Sequence, residues 1–197
     1  MNPSLFSPRT GPTRNVLHTL LTALTALIAL TGCSTVTNPK EEDELGYTPD
    51  VREISQAKTE ARGISSELYD IIGLQGKVTG TGPGVALCDG KDYGKYYVIH
   101  HPWGLTDLPI EELRKGMDRL KKGMPNSGWK IVKYGPDTSP SKSLEIIADS
   151  TKAKFSVNIR LFDESKRTEP DAPKSMIVVD LVSACFQVPK GKRVDEY

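Results

Sequence analysis

Charge of one sign is missing from this chain. Its 197 residues carry 26 lysines and arginines against 25 aspartates and glutamates, a formal net charge of +1. Such a balance leaves no electrostatic footprint for nucleic acid or for an anionic lipid surface. Aromatic residues are scarce, at 7%. Histidine is scarcer, with three in all, and two of them, His100 and His101, are adjacent. In extended chain neighbouring side chains point to opposite faces, so this pair is a poor chelate for one metal. No Cys, Asp or Glu cluster stands beside it at ligand spacing, and neither a metal nor a cofactor is expected. The pair reads as a strand end with one histidine in a hydrogen bond. Gly-x-Ser-x-Gly and His-Glu-x-x-His are both absent, which removes the common signatures of serine hydrolases and zinc peptidases. Three cysteines occur and none forms Cys-x-x-Cys, so a dithiol redox motif is not indicated. After Leu30 no second long apolar run appears.

What is present begins with that one apolar run, Val16 to Leu30. It follows a start that carries Arg9 and Arg14 and no acid. It has the length of a signal-peptide core and falls short of the ~20 apolar residues that span a bilayer. It ends in Leu30-Thr31-Gly32-Cys33: an aliphatic residue, two small ones, then cysteine. This tetrapeptide resembles the lipobox of bacterial lipoproteins. The resemblance implies diacylation of the Cys33 thiol, cleavage before Cys33, and acylation of the new amino group. Two or more acyl chains hold a protein stably on a membrane at ~0.8 kcal/mol per buried CH₂, where one chain does not. The alternative is an ordinary secretory signal with an incidental cysteine.

Cleavage of residues 1–32 leaves 197 − 32 = 165 residues and 26 − 2 = 24 basic against 25 acidic side chains. That is one domain's worth of chain. With Cys33 taken by lipid, Cys88 and Cys185 remain, an even pair in an oxidising compartment. A structural disulfide between them is expected, with two free buried thiols or a redox site as the alternatives. Residues 33–47 read as a flexible acidic tether, which contains the charge run Lys40-Glu41-Glu42-Asp43-Glu44. Fully extended it reaches roughly 50 Å at ~3.4 Å per residue.

The domain itself is expected over 48–189. Thr48-Pro49-Asp50 has the chemistry of a helix start, and Ile54, Ala57, Ala61, Ile64, Leu68 and Ile71 repeat at threes and fours up to Gly73. Gly80-Thr81-Gly82-Pro83-Gly84 reads as a turn rather than a phosphate loop, since a helix precedes it. Strands follow at Val85–Cys88 and Tyr96–His100, with Pro102-Trp103-Gly104 ending the second. Thr106-Asp107 caps a second helix with the stripe Ile110, Leu113, Met117 and Leu120. Four strands come next: Trp129–Tyr134, Leu144–Ala148, Ala153–Leu161 and Met176–Phe186. Asp180 interrupts the last and reads as an exposed position on an open face. Residues 190–197 form a charged tail.

Short links between the later strands imply an antiparallel meander. The alternation over Ala153–Leu161 gives the sheet one dry face, where both helices bury their stripes. The expected class is α+β, a two-layer sandwich of a mainly antiparallel sheet with two amphipathic helices on one face. The lipobox at Cys33, the single cysteine pair, Tyr96-Tyr97-Val98-Ile99-His100-His101-Pro102-Trp103 and Gly128-Trp129-Lys130-Ile131-Val132 together resemble the small extracytoplasmic lipoproteins of actinobacteria. That group is largely of unassigned function, so the resemblance implies a location and no activity.

The functional expectation is a non-catalytic binding domain held outside the cytoplasm on the cell membrane by lipid on Cys33. Its partner would be an envelope protein or wall component and not nucleic acid, met through Lys154, Asn158 and Arg160 on the open sheet face. Two alternatives are an envelope hydrolase, with His100 and Asp180 as its best pair, and a carrier of a small apolar ligand between helices and sheet.

Overall fold

The computed structural model describes residues 45–196. The expected signal segment, Cys33 with its expected lipidation, and the expected tether up to residue 44 lie outside the described residues. The described chain runs α1 (Ile54–Ile72), β1 (Lys77–Thr79), β2 (Gly84–Leu87), β3 (Tyr96–Thr106), α2 (Ile110–Gly123), β4 (Trp129–Pro136), β5 (Leu144–Ser150), β6 (Phe155–Phe162), β7 (Met176–Ser183) and β8 (Phe186–Gln187). These eight strands form one antiparallel sheet, ordered β1-β3-β7-β6-β5-β4, with β2 and β8 also paired to β3. Both helices lie on the same face. The fold is therefore the expected α+β sandwich.

Helix α1 begins at Ile54 with Glu53 as its cap, later than the expected start at Thr48-Pro49-Asp50. That local signal is overridden by pairing with β8. The Asp50 carbonyl accepts from Gln187 N–H at 2.9 Å, and Arg52 N–H donates to the Gln187 carbonyl at 2.9 Å. Those groups are committed to the sheet edge and cannot open a helix. The far end is as expected: Gly73 adopts φ 62° and its N–H donates to the Tyr69 carbonyl. The buried stripe is Ile54, Ala57, Ala61, Ser65, Leu68 and Ile72. Ile64 and Ile71, expected on it, lie at its margin and are half-buried.

The longest strand corrects a second expectation. Pro102-Trp103-Gly104 does not break β3, which runs on to Thr106. Strands β1 and β2 pair with one flank of β3, and between them the four residues 80–83 stand opposite three, His101 to Trp103. This is a bulge in the edge strand. The Pro102 carbonyl points at it, since a Cβ on Gly80 would meet that oxygen at 2.9 Å. In an antiparallel strand the N and C=O of one residue face the same side, so the missing proline N–H falls opposite the bulge and no ladder bond is lost.

Helix α2 begins at Ile110 with Pro109 as its cap, not at Thr106-Asp107, because Thr106 is still in β3. Its acids Glu111 and Glu112 and its bases Lys121 and Lys122 suit the helix dipole. Leu113, Met117 and Leu120 are buried as expected, joined by Gly116. Met176 to Phe186 is two strands instead of one, interrupted at Ala184-Cys185. The charged tail is tied to the domain: Val194 N–H donates to the Gly94 carbonyl at 3.0 Å.

Tyr97 pairs with Leu87 on one flank and Phe186 on the other. The next residue after Leu87 and the one before Phe186 are Cys88 and Cys185, which form the expected disulfide with Cα atoms 5.8 Å apart. At the same end of the sheet the Tyr47 hydroxyl accepts from Cys185 N–H at 2.9 Å. The last residue of the expected tether is thus docked on the domain.

Candidate functional site

Two places gather chemistry. The first is the sheet face that no helix covers. Alternation along β6 puts Asn158 and Arg160 on it, with Phe155, Val157, Ile159 and Leu161 buried on the other side; Lys154 stands exposed just before the strand. A polar band crosses this face from β4 to β3. Lys133 Nζ donates to Glu145 Oε2 at 2.6 Å, and Asn158 Nδ2 donates to Glu145 Oε1 at 2.8 Å. Asn158 is the register partner of Asp180, and Asp180 is hydrogen-bonded to His100 Nε2.

The burial of this band is uneven. Glu145 is only 6% exposed despite lying on the uncovered face. The Lys133 hydrogen bond holds its carboxyl below the usual glutamate range against the opposing effect of burial, with Asn158 adding to the lowering. At the other end the side chains of His100 and Asp180 are 43% and 41% exposed. The sequence singles out this pair as the best candidate for hydrolysis, and the fold does bring it together. Its setting is that of a solvated hydrogen bond on the surface, which contributes little to stability. Arg160 lies over the Phe162 ring at 5.3 Å, and Lys154 lies 5.6 Å from the Tyr47 ring. Of the three expected contact residues, only Asn158 belongs to the band.

No sequence pattern described above points to the second place. A groove of about 450 Å³ lies between α1 and the β1 edge, bordered by the bulge at Gly80 and Gly82. His101 projects into it from the helix-covered face of β3, and Ser65 Oγ lies 2.9 Å from His101 Nδ1. The ring also bonds the Ala61 backbone. Burial pushes the imidazole below its ordinary value, Arg62 and His100 lower it further, and the Ala61 bond opposes them. The ring is therefore neutral at physiological pH. Tyr69 and Trp103 line the same groove with ring centroids 6.3 Å apart at 61°. Trp103 Nε1 is buried and has no hydrogen-bond partner.

One signal in the sequence does mark this site. Continuing the helical spacing from Ala57 and Ala61 by a four lands on Ser65, a polar residue inside an apolar stripe. Placing Ile64 there instead moves the stripe by one residue and hides the serine.

Among the described residues no group of three or more His, Cys, Asp or Glu side chains could hold a metal ion. No described helix is long and apolar enough to cross a membrane. Comparison with protein-family models, with curated proteins and with solved structures gives no match.

Proposed function

We propose that the protein is a non-catalytic binding domain, held outside the cytoplasm on the cell membrane by lipid on Cys33, and that the uncovered sheet face docks an envelope protein. The observation that carries the docking face is the band from Lys133 to His100. Lys133 and Asn158 are held by Glu145, and Asp180 by His100, so these polar side chains present a fixed pattern, which favours one partner orientation over others. Half-exposed Val98, Ile147 and Val178 lie beside it, with Val182 37% exposed. Aliphatic patches among polar groups on a broad sheet suit a protein surface better than a small ligand, which needs a concavity. The Cys88–Cys185 bridge supports an oxidising location.

The test is crosslinking in the native envelope, comparing the wild type with a Lys154→Glu, Arg160→Glu variant and with Asp180→Lys. The reading expects one dominant crosslinked protein that both variants lose while their unfolding midpoints stay near wild type. Retention of that partner by both variants would remove the open face from the proposal.

A second reading, in which the domain binds a small molecule, draws support from the groove at His101.

A further inference from the structure

We propose that the groove between α1 and β1 is a saccharide-binding site. A sugar ring has two demands: a flat C–H surface needs an aromatic partner, and its hydroxyls need groups that donate and accept at close spacing. The groove has both. Tyr69 and Trp103 supply the aromatic surface. Ser65 Oγ, bonded to His101, and Ser66 Oγ, which donates to the Arg62 carbonyl at 3.0 Å, keep lone pairs that can accept from a sugar hydroxyl, and exposed Arg62 and Asp70 supply charged groups that can each engage a pair of neighbouring hydroxyls. Arg62 and Asp70 stand eight residues apart on α1, about 12 Å along its axis at ~1.5 Å per residue. One therefore guards each end of the groove. The volume of about 450 Å³ lies in the range of small-ligand sites.

One further observation points to a ligand. Trp103 Nε1 is a buried donor that the chain leaves unpartnered. A buried unpaired donor is costly, and a hydroxyl oxygen would satisfy it. The Trp103 side chain lines the groove beside Gly80 and Gly82, both at positive φ. The mixture of polar groups also separates this site from a carrier of apolar ligands, whose pocket would not be bordered by Arg62, Asp70 and two serines.

The other concavities fit less well. The broad depression by Arg114 and Arg167 has cations engaged by the chain's own Asp163 and Glu164.

The site depends on neither the lipid nor the open sheet face, so its failure and theirs are separable. The experiment is a titration of the isotope-labelled mature chain with N-acetylglucosamine, galactose, arabinose and, as an apolar control, decanol, followed by amide and indole resonances. The proposal expects at least one sugar to shift the Trp103 indole N–H and the amides of Gly80 and Gly82. Arg62→Ala and Asp70→Ala should each weaken that sugar roughly tenfold. Both residues are exposed, so the variants should keep the wild-type unfolding midpoint. Shifts confined to the open sheet face, a response to decanol alone, or no response to any sugar would each overturn it.

Discussion

Ser65 Oγ and His101 Nδ1, 36 residues apart in the chain, meet at 2.9 Å between α1 and β3. This contact replaces apolar packing at one point of the helix–sheet interface with a polar one. Ser65→Ala should leave His101 without that partner in a buried setting, at a cost of about 1–3 kcal/mol. Ser66→Ala, one residue along and exposed, should change stability by less than ~0.5 kcal/mol. Urea unfolding of the two variants checks the difference.

His101 also gives stability a pH dependence. Burial sets its folded value below the ordinary 6.5. The unfolded chain then binds the proton more readily than the folded one. Stability is complete above about pH 6.5 and falls as the pH drops from there toward the folded value. Glu145 acts lower: its folded carboxyl is below the ordinary 4.5, so its contribution fades as pH falls beneath that range. Unfolding midpoints measured against pH should show both declines, and His101→Gln should abolish only the upper one.

Glu145 ties Lys133 to Asn158. Glu145→Ala strips both of a partner and should cost about 1–3 kcal/mol. Replacing Lys133 and Glu145 together by Met should cost less than Glu145→Ala alone, because no charge is left unpaired. A double-mutant cycle on unfolding free energies measures this.

The bridge between Cys88 and Cys185 joins residues 97 apart in the chain. Reducing it, or replacing both by Ser, should cost about 4 to 5 kcal/mol in the chain-entropy account. A reduced protein as stable as the oxidised one would contradict this.

Gly80 tests the bulge. It sits at φ +140°, and a Cβ there would come within 2.9 Å of the Pro102 carbonyl and 3.1 Å of Trp103 Cβ. Gly80→Ala should lower stability by about 1–3 kcal/mol. Gly63→Ala, in α1 with open space around it, should be neutral or slightly stabilising. Thermal unfolding of the two variants side by side separates the outcomes.

The layers of the fold were legible because burial leaves a period in the sequence. The alternation read over Ala153–Leu161 belongs to a half-buried strand that starts two residues later, at Phe155, and Leu113, Met117 and Leu120 repeat as a helix stripe. Helix starts were less legible, because pairing of Asp50 and Arg52 with Gln187 lies beyond any local window. Pro102 misled for the same kind of reason: a bulge contributed by another strand removes the need for its N–H. The disulfide followed from counting cysteines. The groove was hidden because a single serine in the stripe of α1 acquires meaning only when β3 brings His101 against it. Conversely, His100 and Asp180 were paired correctly from sequence, but only the fold shows how solvated that pair is.

The proposed location and function rest most heavily on Cys33 being the anchored first residue of the mature chain. Intact-mass and peptide mass spectrometry of the protein extracted from native membranes tests it directly. The expected result is a chain beginning at Cys33 and carrying diacylglycerol on its thiol, lost from the membrane fraction in Cys33→Ser. A mature chain that begins elsewhere, or that carries no lipid at Cys33, would contradict it.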